Sequence, residues 1–261
     1  NRNNSISTRN SRLAAIHSFF KYLQYEYPDY IDEYIKILNV PFKKTKTKQM
    51  SYLTVEEMAK LIGVIDKSSE YGYRDYMIIL LMYESAIRVS ELINVRLIDF
   101  RFSKPYSIKI VGKGNKQRYV PLSEQFIEKV QEYVLSLNNR KLETDFLFTN
   151  HSNNKLTRAG VSHILNKYVT LARENNPSLF KENVTPHTLR HTKAMHLLQD
   201  DVNIIYIRDI LGHSSVQTTE IYARADSARL RQAIEKSYKE LSTETKCEWQ
   251  EEEIINWLKS F

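Results

Sequence analysis

Thr185-Pro186-His187-Thr188-Leu189-Arg190-His191 carries two signals of a helix start, a Thr able to cap free N–H groups and a Pro at the first helical position. His187 and Arg190, three residues apart, then share one face of the first turn. There they stand beside unpaired backbone N–H groups and the positive end of the helix dipole, an arrangement suited to a phosphate or an oxyanion. Taken by itself the segment admits a plainer reading, in which His187 helps to cap the helix and Arg190 pairs with a surface acid.

Downstream, Leu211-Gly212-His213 places a helix-ending Gly before a His presented at the break. A further short helix, Val216 to Ala223, carries Tyr222. Alone, this Tyr reads as core or surface packing. Upstream, Ala86-Ile87-Arg88-Val89-Ser90-Glu91-Leu92 sets an Arg in an apolar neighbourhood, where a guanidinium demands a partner. Glu91, one turn on, can orient it or form an ordinary surface pair. Residues Ser107 to Leu122 alternate β-branched positions around a Gly-rich turn, the pattern of a hairpin with Lys113, Lys116 and Arg118 crowding its tip.

The rest is helical in pattern. Helices are expected at Ser11–Leu23 and Tyr30–Leu38. Another runs from the capping box at Thr54 to about Ile65, and a buried one covers Tyr73–Ser85. Further helices are expected at Ser123–Leu137, Thr157–Arg173, Pro186–Gln199, Ile204–Leu211, Ser227–Leu241 and Glu251–Leu258, with a short apolar run at Phe146–Phe148. The fold class is therefore mostly α with one small antiparallel β-sheet. The first two helices bury too little surface to stand alone, which suggests further sequence upstream. Residues 1–40 read as the end of a helical domain, 41–53 as a basic linker, 54–224 as the main domain and 225–261 as a helical tail.

Composition narrows the class. The chain has 261 residues, 42% hydrophobic and 26% charged, the values of a folded globular protein. A net charge of +7 makes a polyanion a plausible partner. One cysteine excludes an intramolecular disulfide and fits a reducing, cytoplasmic setting. The longest apolar run, Met77 to Met82, is far below the ~20 residues of a membrane span. Phosphate-binding GxxxxGK[ST], dinucleotide GxGxxG and HExxH patterns are absent, so nucleotide hydrolysis and zincin chemistry lack support. His187 and His191 are four apart, but nothing completes a zinc set, and no metal is expected.

In order and in local motif, Arg88, Lys113, His187, Arg190, His213 and Tyr222 resemble the active-site set of the tyrosine recombinase (phage integrase) family. The resemblance rests on AIRVSEL, GKGNK, HTLRH and LGH followed by TTEIY, four motifs spread over about 135 residues. It covers Thr54 to Tyr222, extends to the N-terminal helices as the tail of a core-binding domain, and weakens after Arg224. Ala86-Ile87 stands where Gly-Leu is frequent, and Arg224 where a His is frequent.

That resemblance implies a recombinase that cuts and rejoins DNA through a 3′-phosphotyrosine on Tyr222. Attack on a phosphodiester concentrates charge on the nonbridging oxygens, and fixed guanidinium groups such as Arg88 and Arg190 meet it bidentately. A free phenol has a pKa near ~10, so Tyr222 needs a base and a positive field. His187 is the candidate base or relay, Lys113 the acid for the leaving 5′-oxygen, His213 a donor to a nonbridging oxygen, and Glu91 the group orienting Arg88. One phosphodiester is exchanged for another, so no cofactor is implied.

Candidate DNA contacts are Lys43, Lys44, Lys46, Lys48, Lys116, Arg118 and Arg158, most of them to phosphates. His191 and His196 read as packing or DNA-backbone contacts. The implied partners are double-stranded recombination sites, three further copies of the chain in a tetramer on DNA, and accessory DNA-bending proteins. The end of the tail, Glu251 to Phe261, reads as a contact to a neighbouring subunit. An integrase or transposase of a mobile element is the leading role and a Xer-like recombinase its nearest variant. A noncatalytic DNA-binding regulator is the alternative of a different class, and the short chain disfavours a type I topoisomerase.

Overall fold

The run Tyr76 to Met82 is apolar on every side, and the helix that contains it lies at the centre of the larger part of the molecule. The computed structural model describes residues 4–44, 50–137, 144–180, 182–213, 215, 218–220 and 222. The chain divides into two units, Asn1–Gln49 and Met50–Phe261.

In the first unit, α1 (Ile6–Glu26) is capped by the Ser5 hydroxyl, which accepts from the Thr8 N–H, and so starts five residues before the expected position. It packs against α2 (Ile31–Leu38). Residues 41–43, expected to open the linker, are fastened to α1. Arg9 donates to the Pro41 carbonyl, and the Asn10 amide exchanges two hydrogen bonds with the Lys43 backbone.

In the second unit, Thr54 and Glu57 form the expected capping box at the head of α3 (Val55–Gly63). Helix α4 (Glu70–Ser85) is the central one, with Met77, Ile78, Ile79, Leu81 and Met82 at most 1% exposed. Each such side chain contributes about 1.5–3 kcal/mol by leaving water. It packs against α3, α6 (Glu124–Ser136), α7 (Arg158–Asn175) and α8 (Pro186–Gln199). At its end Ala86 takes a left-handed conformation, φ 48°, which breaks the helix and turns the chain into the one-turn helix α5 (Val89–Leu92).

The sheet has three antiparallel strands in the order β1-β2-β3: β1 (Phe100–Arg101), β2 (Ser107–Val111) and β3 (Gln117–Pro121). The hairpin of β2 and β3 is the expected one, with Ile108 opposite Val120 and Ile110 opposite Arg118. Gly114 and Asn115 both take positive φ at its tip, and the Gly112 N–H closes the turn on the Lys116 carbonyl. Helix α8 begins at Pro186 beneath its Thr185 cap, as its sequence requires. Helix α9 (Ile204–Leu211) ends at Gly212, φ 62°, where the Gly212 and His213 N–H groups return to the carbonyls of Asp209 and Arg208. Residues 218–220 and Tyr222 are helical. The helices expected at Ser227–Leu241 and Glu251–Leu258 lie outside the described residues, as do Lys46 and Lys48.

Candidate active site

Three of the motifs meet where α5, α8 and the end of α9 converge. Arg190, one turn into α8, is 3% exposed. Its Nη1 donates to the Ala86 carbonyl at 2.6 Å and its Nη2 to the Leu211 carbonyl. The left-handed break at Ala86 and the C-terminus of α9 thus supply the buried partners that the guanidinium needs. These are neutral acceptors, not the surface acid of the plainer reading, so its positive charge stays available to an anion. Burial, then the neighbouring Arg88 and Arg118, pull its pKa down to about 9, which leaves it charged at neutral pH.

Arg88 precedes α5. Its backbone N–H donates to Glu91 Oε2 at 3.0 Å and its Nη1 to Glu91 Oε1 at 2.9 Å. Glu91 is 6% exposed, which removes the surface-pair reading. Arg118 reaches the same carboxylate from β3, donating from Nη1 to Oε1 at 3.0 Å and from Nη2 to Oε2 at 2.8 Å. Burial opposes ionisation of Glu91, but the hydrogen bonds from Arg118 and Arg88 outweigh it and hold the carboxyl below its ordinary value.

Arg88, Arg158, His187 and Arg190 line one cavity of about 140 Å³. A neighbouring cleft of about 1180 Å³ is lined by Arg88, Lys116, Arg118 and His213, with Glu91 in its wall. Arg88 therefore borders both spaces. His213 Nδ1 lies 3.1 Å from Thr219 Oγ1, and burial, with Arg190 and Arg88 beside it, lowers its pKa to about 4.

Tyr222 is 1% exposed and packs among Ala86, Ala194, Met195 and Leu211. Its hydroxyl is 2.9 Å from His191 Nδ1. Burial raises the phenol pKa, and Arg190 and Arg88 oppose the rise. Burial, then His187 and Arg190, lower His191 to about 4, so its ring is neutral at physiological pH. The rings of His187 and His191 stack with centroids 6.1 Å apart, and those of His191 and Tyr222 are 5.7 Å apart. His191 thus stands between the cavity residue His187 and the phenol.

Two expectations change. His191, read as packing or a DNA-backbone contact, is the hydrogen-bond partner of Tyr222. Its place one residue after Arg190 and one turn after His187 was the available signal. Arg118, read as a DNA contact, is 12% exposed with its fork committed to Glu91 and its Nε donating to the Ile210 carbonyl at 3.0 Å. Alternation with the inward residue Val120 already placed it on the buried face of β3. His196 bridges Tyr83 and the Leu53 carbonyl as a packing residue. Lys113 belongs to the hairpin turn, and its side chain is outside the described residues. Lys43, Lys44, Lys116 and Arg158 are exposed. Among the described residues no cluster of three metal-type ligands occurs, and no helix is long and apolar enough to cross a membrane.

Residues 51–229 match the family model described as "Phage integrase family". The chain is 33% identical over 233 residues to the putative integrase/recombinase y4rC of Sinorhizobium fredii, covering 89% of this chain and 70% of that protein. It is 34% identical over 236 residues to the tyrosine recombinase XerA of Pyrococcus horikoshii, covering 89% and 74%. Among solved structures it is similar to the XerH site-specific recombinase in a post-cleavage complex with its difH substrate. There the TM-score is 0.64 at 28% identity, over 76% of this chain and 58% of that one. The chain belongs to the phage integrase family of tyrosine recombinases.

Proposed function

We propose that this chain is a site-specific recombinase that cuts and rejoins double-stranded DNA through a 3′-phosphotyrosine at Tyr222. The observation that carries the reading is the convergence of Arg88, Arg190 and His187 on one phosphate-sized cavity, with the Tyr222 hydroxyl held on the neutral ring of His191 beside it. Arg88 and Arg190 bind the nonbridging oxygens of the scissile phosphate, and His213 donates a further hydrogen bond to them. Tyr222 leaves its packed position to attack phosphorus, giving its proton to the histidines. His187 is the group facing the cavity and His191 the one touching the phenol. The phosphorus–5′-oxygen bond breaks as the phosphorus–phenol oxygen bond forms, and Lys113 protonates the leaving oxygen. Glu91 orients Arg88. Lys43, Lys44, Lys46, Lys48, Lys116 and Arg158 contact the DNA backbone. No cofactor takes part.

Residues 1–40 act as the end of a core-binding domain, 41–53 as the linker, 54–224 as the catalytic domain and 225–261 as a subunit contact. The likeness to the putative integrase/recombinase y4rC supports an integrase, which in this reading, or as a transposase, serves a mobile element, and the likeness to the tyrosine recombinase XerA supports a Xer-like recombinase as the variant. Reciprocal strand exchange requires four subunits on two sites, with accessory DNA-bending proteins as further partners, in the cytoplasm.

A nicked suicide duplex bearing the cognate site tests the reading. Wild type should accumulate a covalent protein–DNA adduct that Tyr222→Phe abolishes. A protein that binds the site specifically yet never forms the adduct would be the noncatalytic regulator instead.

A further inference from the structure

Glu91 is a buried carboxylate shared by two guanidinium groups, and only one of them, Arg88, also lines the smaller cavity. Arg118 has no such role. Each of its three guanidinium nitrogens donates, Nη1 and Nη2 to Glu91 and Nε to the Ile210 carbonyl at the end of α9. Two glycines show how closely the group is packed. A Cβ at Gly212 would sit 2.8 Å from Arg118 Cδ, and one at Gly112 would sit 3.2 Å from Glu91 Oε1. At one end of the hairpin turn Gly112 leaves little room for a side chain beside the carboxylate that holds Arg118 at the other.

We propose that Arg118 is a positioning residue that neutralises Glu91, leaving the charge of Arg88 free for phosphate, and that fastens the hairpin to the turn presenting His213. This rests on the reading of Arg88 as a phosphate-binding group. The charge count makes the argument. Arg88, Glu91 and Arg118 together carry +1. Without Arg118, Arg88 and Glu91 form a neutral pair, and the anion in the cavity loses the field of one unit charge a side chain away. If Glu91 is then neutralised as well, the group returns to +1. If Arg118 served only to fill space, Met in its place would hold phosphate as well as Lys does.

The test is a double-mutant cycle on the full chain, with inorganic phosphate as the probe, calorimetry as the readout and Arg190→Met setting the background. Arg118→Met should weaken phosphate binding about tenfold, from a unit charge screened by partial solvent access. Glu91→Gln combined with Arg118→Met should return the affinity to within about threefold of wild type, the tenfold loss of one change offset by the tenfold gain of the other. Arg118→Lys, which keeps the charge without the fork, should also stay within about threefold. Unchanged binding in Arg118→Met, or a double variant weaker than Arg118→Met, would overturn the proposal. Should Arg118→Met fail to fold, Glu91→Gln alone decides, because it raises the local charge to +2. It should bind phosphate about tenfold more tightly, and equal or weaker binding overturns the proposal. If wild type makes no Tyr222-dependent adduct on the suicide duplex, the recombinase reading fails, while the phosphate cycle still decides the role of Arg118.

Discussion

Replacing His191 with Phe keeps a ring of similar size in place and removes the hydrogen-bond partner that the Tyr222 hydroxyl has among the described residues, 2.9 Å away in the wild type. Two effects follow, on different measurements. In the resting protein the hydroxyl belongs to a residue that is 1% exposed, so losing its partner leaves a buried polar group unsatisfied. That costs about 1–3 kcal/mol, visible as a lower midpoint in thermal or urea unfolding. In the reaction the phenol loses its nearest proton acceptor. Positioned acid–base groups contribute about 10²–10⁴-fold, so adduct formation under single turnover should slow by that order. His191→Asn places an amide atom near the Nδ1 position and should recover part of both losses. DNA affinity in a gel shift should stay within a few-fold of wild type, because the ring lies behind the cavity. An adduct rate for His191→Phe equal to wild type would refute the reasoning and return the proton to His187 alone.

Further outcomes follow from the same geometry. Arg190→Lys keeps a charge but cannot serve both the Ala86 and Leu211 carbonyls and the phosphate, so cleavage should fall about 10²–10³-fold with binding little changed. Gly212→Ala forces a Cβ against Arg118 at a residue with φ +62°, and should cost about 1–2 kcal/mol of stability or more and displace His213. The pH dependence of stability has a definite sign. His191 and His213 have folded pKa values near 4 against an ordinary 6.5, so between these limits the unfolded chain binds more protons. The unfolding midpoint should therefore fall as pH drops from about 6.5 towards 4, and His191→Phe should flatten that fall. A midpoint independent of pH over that window would contradict the buried, neutral placement of both rings.

The parts of the fold legible in the sequence are those governed by short-range chemistry. Helix α8 starts where Thr185-Pro186 dictates, α9 ends where Gly212 permits a left-handed turn, and the hairpin closes at the residues that tolerate positive φ. Other features escaped because their causes are remote or brief. Strand β1 is two residues long, too short for alternation to register, and α5 is a single turn whose cap is the carboxylate of Glu91. The partner of Arg118 at Ile210 is 92 residues away, and that of Tyr222 at His191 is 31 residues away. For Arg118 the period-two pattern with Val120 indicated burial, yet the density of positive charge at the hairpin tip favoured a surface reading. Its carboxylate partner, Glu91, lay in a motif already assigned to Arg88. The Arg88, His187 and Arg190 positions were legible as a set because three weak local signals recur in one order, and the structure brings all three to one cavity.

The most direct measurement is to trap the adduct on a suicide duplex, digest it and identify by mass spectrometry which of the 17 tyrosines bears the nucleotide. Attachment to the 3′-phosphate through Tyr222 is the expected result. Attachment through any other residue, or a free 3′-phosphate with no protein bound, would contradict the assignment of Tyr222 as the nucleophile.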